Sequence, residues 1–123
     1  MQLEDLRRFC LSFPQAEENL QWGDELCFKV GGKIFAIVGL DSVPQHLCFK
    51  CAPQVFEELL ERQGIGPAPY LGRYQWVMME ASDCLPVREL EALLRQSYAL
   101  VAAKTNRNRP RSGARKPSRR RKP

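Results

Sequence analysis

The sequence predicts an α+β domain in the order α-β-β-β-α-β-α, with helices packed on a mostly antiparallel sheet. Apolar residues recur at steps of three and four in three separate stretches, the period of a helix with one buried face. Between the first two stretches, apolar and polar residues alternate around Gly31-Gly32, as in a hairpin. The apolar pattern stops at Ala103, where the composition changes abruptly.

Residues 2–13 place Leu3, Leu6, Phe9, Cys10 and Phe13 on one helix face, and Pro14 stops that helix. An acidic, polar stretch follows through Asp24. Leu26, Phe28 and Val30 then alternate with Cys27 and Lys29, which predicts a strand with one buried face. Gly31-Gly32 supplies the tight turn, because glycine takes positive φ without steric cost. The return strand, 33–40, is apolar on both faces through Ile34, Phe35, Ala36, Ile37 and Val38, so it belongs in the middle of the sheet. After the turn Asp41-Ser42-Val43-Pro44, Leu47, Phe49 and Cys51 alternate with His46, Cys48 and Lys50 as a third strand. Pro53 suits the first position of a second helix, which buries Phe56, Leu59 and Leu60 and ends at Gly64. Residues 65–73 read as a Gly/Pro-rich loop and 74–80 as a fourth strand. Asp83 to Pro86 open a third helix that buries Leu90, Leu93, Leu94, Ser97 and Val101.

Charge divides the chain. Residues 1–103 carry nine Lys or Arg against fourteen acids, a net of −5. Residues 104–123 carry ten Lys or Arg and no acid: Lys104, Arg107, Arg109, Arg111, Arg115, Lys116, Arg119, Arg120, Arg121 and Lys122. One folded domain is therefore expected over 1–103, followed by a disordered basic tail over 104–123 that lacks the apolar surface to fold alone. An arm of +10 suits a polyanion, most simply nucleic acid, through phosphate neutralisation and counterion release. No run approaches the ~18 apolar residues of a membrane span. The N-terminal residues mix acids with bases and hold no apolar stretch, so a secretory signal is not expected. Five cysteines, odd in number and set among apolar neighbours, fit reduced thiols in the cytoplasm better than a disulfide framework.

The loop 67–76 is the candidate site of the folded part. Tyr70, Arg73, Tyr74 and Trp76 interleave aromatic planes with a cation, and nucleobases and phosphates use both. The competing expectation is that Tyr70 and Trp76 anchor the loop in the core and leave only Arg73 in solvent. Lys29 and Lys50 share an alternation phase away from Phe28 and Phe49 and extend the basic strip. Catalytic chemistry is not legible. Cys48-Phe49-Lys50-Cys51 has the spacing of a metal or redox pair, but strand alternation sends the two thiols to opposite faces. His46 is the only histidine, and no sequence neighbour completes a triad. Glu17-Glu18 and Glu57-Glu58 are consecutive and read as solvated surface. Gly64-Ile65-Gly66 follows a helix instead of opening one, so it is a turn and not a phosphate cradle.

Several segments in order carry a resemblance: Phe13-Pro14, Trp22-Gly23, Phe28 through Ala36, Phe49-Lys50-Cys51-Ala52-Pro53, Pro69 through Val77, and Ser97-Tyr98. Together they resemble the MmcQ/YjbR family of small bacterial proteins over essentially all of 1–103. The resemblance implies a compact α+β double-wing domain of the kind commonly labelled DNA-binding. Two positions depart from the family pattern. Ala52 stands where members often carry Asp before the helix proline, and Gln75 stands where the loop usually reads His before Trp. The expectation is a non-enzymatic, monomeric, cytoplasmic protein without cofactor or metal that binds nucleic acid, DNA or RNA. Arg109, Arg111, Arg115, Lys116, Arg119, Arg120, Arg121 and Lys122 would supply phosphate contacts, and Lys29, Lys50, Tyr70, Arg73, Tyr74 and Trp76 the contacts of the domain. The alternative is a protein–protein adaptor or chaperone-like module whose tail solubilises it or holds RNA.

Overall fold

The computed structural model describes residues 1–108. The chain begins with α1 (Leu3–Leu11) and continues through β1 (Glu17–Gln21), β2 (Glu25–Val30), β3 (Lys33–Gly39) and β4 (Leu47–Lys50). Then come α2 (Pro53–Leu59), β5 (Ile65–Pro67), a 3₁₀ turn at Gly72–Tyr74, β6 (Trp76–Met79), a second 3₁₀ turn at Ser82–Cys84, and α3 (Val87–Asn108). The six strands form one sheet in the order β1-β2-β3-β4-β6-β5, and every pairing is antiparallel. The α+β class and the central place of β3 agree with the sequence.

Two strands were not legible. β1 is Glu-Glu-Asn-Leu-Gln, and β5 is Ile-Gly-Pro; both lie at sheet edges. Charged residues and proline are tolerated at edges because one side of the strand need not pair. Other bounds also move. α2 ends at Leu59, before Gly64, and Tyr74 sits in a 3₁₀ turn and not on a strand. α3 runs on to Asn108, past Ala103, and includes Lys104 and Arg107 in its last turns. The basic positions from Arg109 to Lys122 lie outside the described residues.

All three helices cover one face of the sheet. Leu6 and Cys10 of α1, Leu59 of α2, and Leu90, Leu93, Leu94 and Val101 of α3 close over Phe28, Phe35, Val38, Phe49, Val77 and Met79. An aromatic group fastens the end of α1 to this core. Tyr98 stacks on Phe13 at 4.6 Å, meets Phe35 edge-on, and donates its hydroxyl to Pro14 O at 2.7 Å. Arg7 of α1 grips Glu18 of β1 through two bonds, Nε to Oε1 at 2.9 Å and Nη2 to Oε2 at 2.6 Å. That fork holds the Glu18 carboxyl below the usual carboxylate range.

The opposite face is not bare. Cys27, Ile37, Cys48, Ala68 and Trp76 form a second, smaller core, with Ile34, Leu71 and Met78 at its edge. Residues 68–71 fold back over the sheet to make it, held by Ala68 N–H to Trp76 O at 3.0 Å and Trp76 N–H to Leu71 O at 3.3 Å. Cys27 is therefore fully buried, and β2 does not have the single buried face its alternation suggested.

β3 changes phase in its middle. Phe28 of β2 pairs with Ala36, but the next residue, Lys29, pairs with Ile34, so Phe35 is an extra residue in a bulge. The bulge turns Phe35 to the helix face beside Ala36 and leaves Ile34 and Ile37 on the other face. A bulge costs ladder hydrogen bonds, and Ser97 of α3 replaces them. Its hydroxyl donates to Phe35 O at 2.6 Å and accepts from Lys50 N–H at 3.0 Å. Ser97 is fully buried. Ser97→Ala leaves both backbone groups unpaired beneath α3 and should cost roughly 2–4 kcal/mol. A chemical-denaturation midpoint lowered by that amount, with unchanged slope, is the expected measurement; a loss under about 0.5 kcal/mol refutes the bridge.

Candidate functional site

Two adjoining hollows lie on the second face. The first encloses about 530 Å³ between the start of β3, the end of β4, the 3₁₀ turn and the last turns of α3. Ile34, Ile37 and Leu71 form its floor, Trp22, Tyr74 and Trp76 its aromatic walls, and Lys33, Lys50 and Lys104 its charged rim. Among the described residues no carboxylate lines it. The second, about 640 Å³, shares Trp22, Ile37 and Leu71 with the first and adds Glu25, His46, Cys48, Tyr70 and Met78.

Trp22 lines both. It sits in the turn between β1 and β2 at φ +52°, followed by Gly23 at φ +84°. A bulky L-residue in this region carries about 1–2 kcal/mol of strain. Burial does not offset it, because the side chain is 67% exposed. One residue earlier, the Gln21 amide oxygen is buried with no hydrogen-bond partner among the described residues. Tyr70 repeats the pattern at φ +66° and 96% exposure. Gln75 also stands at φ +66°, closing the 3₁₀ turn with its N–H on Gly72 O and accepting Cys51 N–H at 2.8 Å. Gln75 thus does its visible work through its backbone. Of the four non-glycine residues at positive φ among the described residues, three lie around this face.

The expected site residues separate. Lys50, Tyr74 and Trp76 come together in the first hollow, with Lys50 Nζ donating to Tyr74 O at 2.8 Å. Burial, then the nearby Lys104, pulls the Lys50 ammonium below the usual lysine value. Trp76 is 8% exposed and is chiefly a member of the smaller core. Tyr70 belongs to the second hollow. Arg73 stands outside both, lining a further hollow with Ala68, Tyr70 and Gly72, and its guanidinium is 5.0 Å from the centre of the Tyr74 ring. Lys29 lies at the register of Glu17 and Ile34 and does not line either hollow. Trp22, Lys33 and Lys104 line the first hollow, although the sequence pattern does not mark them as site residues. Trp22 occupies a turn and Lys33 the first position of β3, and nothing in their local pattern says that residues 68–71 fold back over the same face.

His46 gains partners that its sequence neighbourhood did not suggest. Ser42 Oγ lies 3.0 Å from Nδ1, and Nε2 is 3.9 Å from Glu25 Oε2. The same Ser42 oxygen also accepts His46 N–H and donates to Gly39 O, so it locks the β3–β4 turn. The ring lies flat on Gly39, where any Cβ would overlap it. Beside it, a hydrogen bond to Asp41 raises the Asp24 carboxyl pKa. Among the described residues no group of three or more His, Cys, Asp or Glu is placed to hold a metal ion.

The two cysteines of the C-x-x-C fall on opposite faces, Cys48 in the smaller core and Cys51 in the larger. Burial pushes both thiols, and that of Cys10, up to about 12. Cys84 is only half-buried. A thiol reagent at neutral pH should therefore modify Cys84 first, and the other four only on unfolding. Rapid modification of Cys51 in the native protein overturns the buried assignment. The loop is checked by two substitutions. Trp76→Ala should cost roughly 3–5 kcal/mol by emptying the smaller core. Arg73→Ala should stay within about 0.5 kcal/mol in thermal unfolding.

No functionally curated protein matches this sequence. A Deinococcus radiodurans protein, DR2400, which carries the domain of unknown function DUF419, has a similar crystal structure. The two share 33% identity and a TM-score of 0.75 over 82% of this chain and 78% of the other. A Pseudomonas syringae protein matches at 17% identity and a TM-score of 0.65, over 82% of this chain and 99% of its own, and shows the fold alone. The YjbR family model matches residues 11–100, which hold the whole sheet, α2 and most of α3. This chain therefore belongs to the YjbR family.

Proposed function

We propose that this protein is a non-enzymatic nucleic-acid-binding protein of a reducing, cytosolic compartment. One observation carries the reading: Val101 and Lys104 of α3 form a wall of the hollow that also holds Lys33, Lys50 and the aromatic rings. The helix that precedes most of the basic segment thus lines, in its last turns, the cationic, aromatic part of an otherwise acidic domain. Phosphates drawn to the ten cations of 104–123 arrive where three lysines and exposed rings stand together. Five unpaired cysteines suit a compartment that keeps thiols reduced.

The reading predicts steep salt dependence. If about five charges of the basic segment neutralise phosphates, log affinity for duplex DNA falls against log salt with a slope of about −4.5. Replacing Arg119, Arg120, Arg121 and Lys122 by Gln in the full chain should flatten the slope by about 0.9 for every phosphate no longer neutralised. Fluorescence anisotropy over a salt series reads both numbers. Unchanged affinity and slope in the substituted protein remove the basic segment from the function.

A further inference from the structure

We infer that the first hollow takes single-stranded nucleic acid, with an unstacked base against the Trp22 ring and backbone phosphates on Lys33, Lys50 and Lys104. The inference rests on the proposed nucleic-acid binding and names the form of the ligand. Size is the first argument. About 530 Å³ lies within the ~300–1,000 Å³ range of small-ligand sites, so the hollow suits one nucleotide at a time and not the broad face of a duplex.

Chemistry is the second. Stacking needs an open π-face, and a duplex keeps the faces of its bases covered by their neighbours. A single strand can turn a base onto Trp22, whose ring is held out at 67% exposure on a strained turn. The apolar floor of Ile34, Ile37 and Leu71 offers a base no hydrogen-bond code, so stacking there tolerates any sequence.

Charge is the third. The rim is cationic with no carboxylate among the described residues, on a domain that carries −5 over 1–103. The dense charge of a duplex meets that acidic surface wherever it extends beyond the rim. A flexible strand lays only a few phosphates there. Burial, and then the neighbouring Lys104, disfavours the Lys50 ammonium, and an anion between the two cations relieves that crowding.

The test uses the full chain and two labelled probes, an oligothymidylate of about 12 nucleotides and a duplex of the same length. Single-strand binding should quench tryptophan emission and be at least about tenfold tighter than duplex binding at moderate salt. Trp22→Gly is the informative variant, because glycine takes φ +52° without strain. Its melting temperature should be equal or higher, while single-strand affinity falls roughly 5- to 150-fold and duplex affinity holds. Lys33→Glu, at the exposed start of β3, should show the same selective loss independently of the ring. Equal affinity for the two probes, or variants that weaken both alike or neither, overturns the inference and leaves nucleic-acid binding standing. Failure of the unsubstituted protein to bind either probe overturns both.

Discussion

At Phe35 the β2–β3 ladder loses its register, and the carbonyl it strands is met from outside the sheet by the Ser97 hydroxyl. The same oxygen collects the Lys50 N–H, so one side chain of α3 fastens two adjacent strands at the point where neither finds a partner in the other. Much of the molecule follows from this contact. The bulge sends Phe35 toward Tyr98 and Phe13, which ties α1 to α3 through aromatic contacts. It also returns Ile34 to the far face, where it borders the hollow that Lys50 rims. A buried hydroxyl with both capacities satisfied adds cohesion; the same hydroxyl half-satisfied would be a liability.

The sheet separates two kinds of surface. On the helix side the three helices close one continuous apolar core. The other side is closed only in part, by a chain segment that folds over Cys27, Ile37 and Cys48 and stops at Leu71. Beyond it the apolar floor continues into solvent. The backbone at Trp22, Tyr70 and Gln75 is strained around that opening. Cohesion and strain therefore sit on opposite faces of one sheet, as in proteins that keep a rigid support under a reactive or adhesive surface.

Local periodicity is enough to read three helices, the Gly31-Gly32 hairpin and the central place of β3, because each depends on residues within a few positions of one another. β1 and β5 escape because edge strands need no apolar alternation, and Glu17-Glu18 and Pro67 hide them well. Ser97 is readable as part of the buried stripe of α3, but its partners lie 47 and 62 residues away in the chain. Ser42 illustrates the limit for chemistry: its approach to His46 is local, yet Glu25 joins them only through strand pairing. The loop aromatics stand out as a group in the sequence, while their division into buried Trp76 and exposed Tyr70 depends on how residues 68–71 fold back.

The length of α3 has a consequence for binding strength. Its helical course to Asn108 brings Lys104 to the rim of the hollow, so the cations that follow in the sequence are joined to that rim through the chain itself. In the proposed arrangement, a strand captured by any of those cations meets the hollow intramolecularly, at an effective concentration above that of a free nucleotide. A stacking contact too weak to hold a free nucleotide would then be occupied most of the time on a polymer. The protein would discriminate by chain length more sharply than by base, ignoring mononucleotides that share the same chemistry.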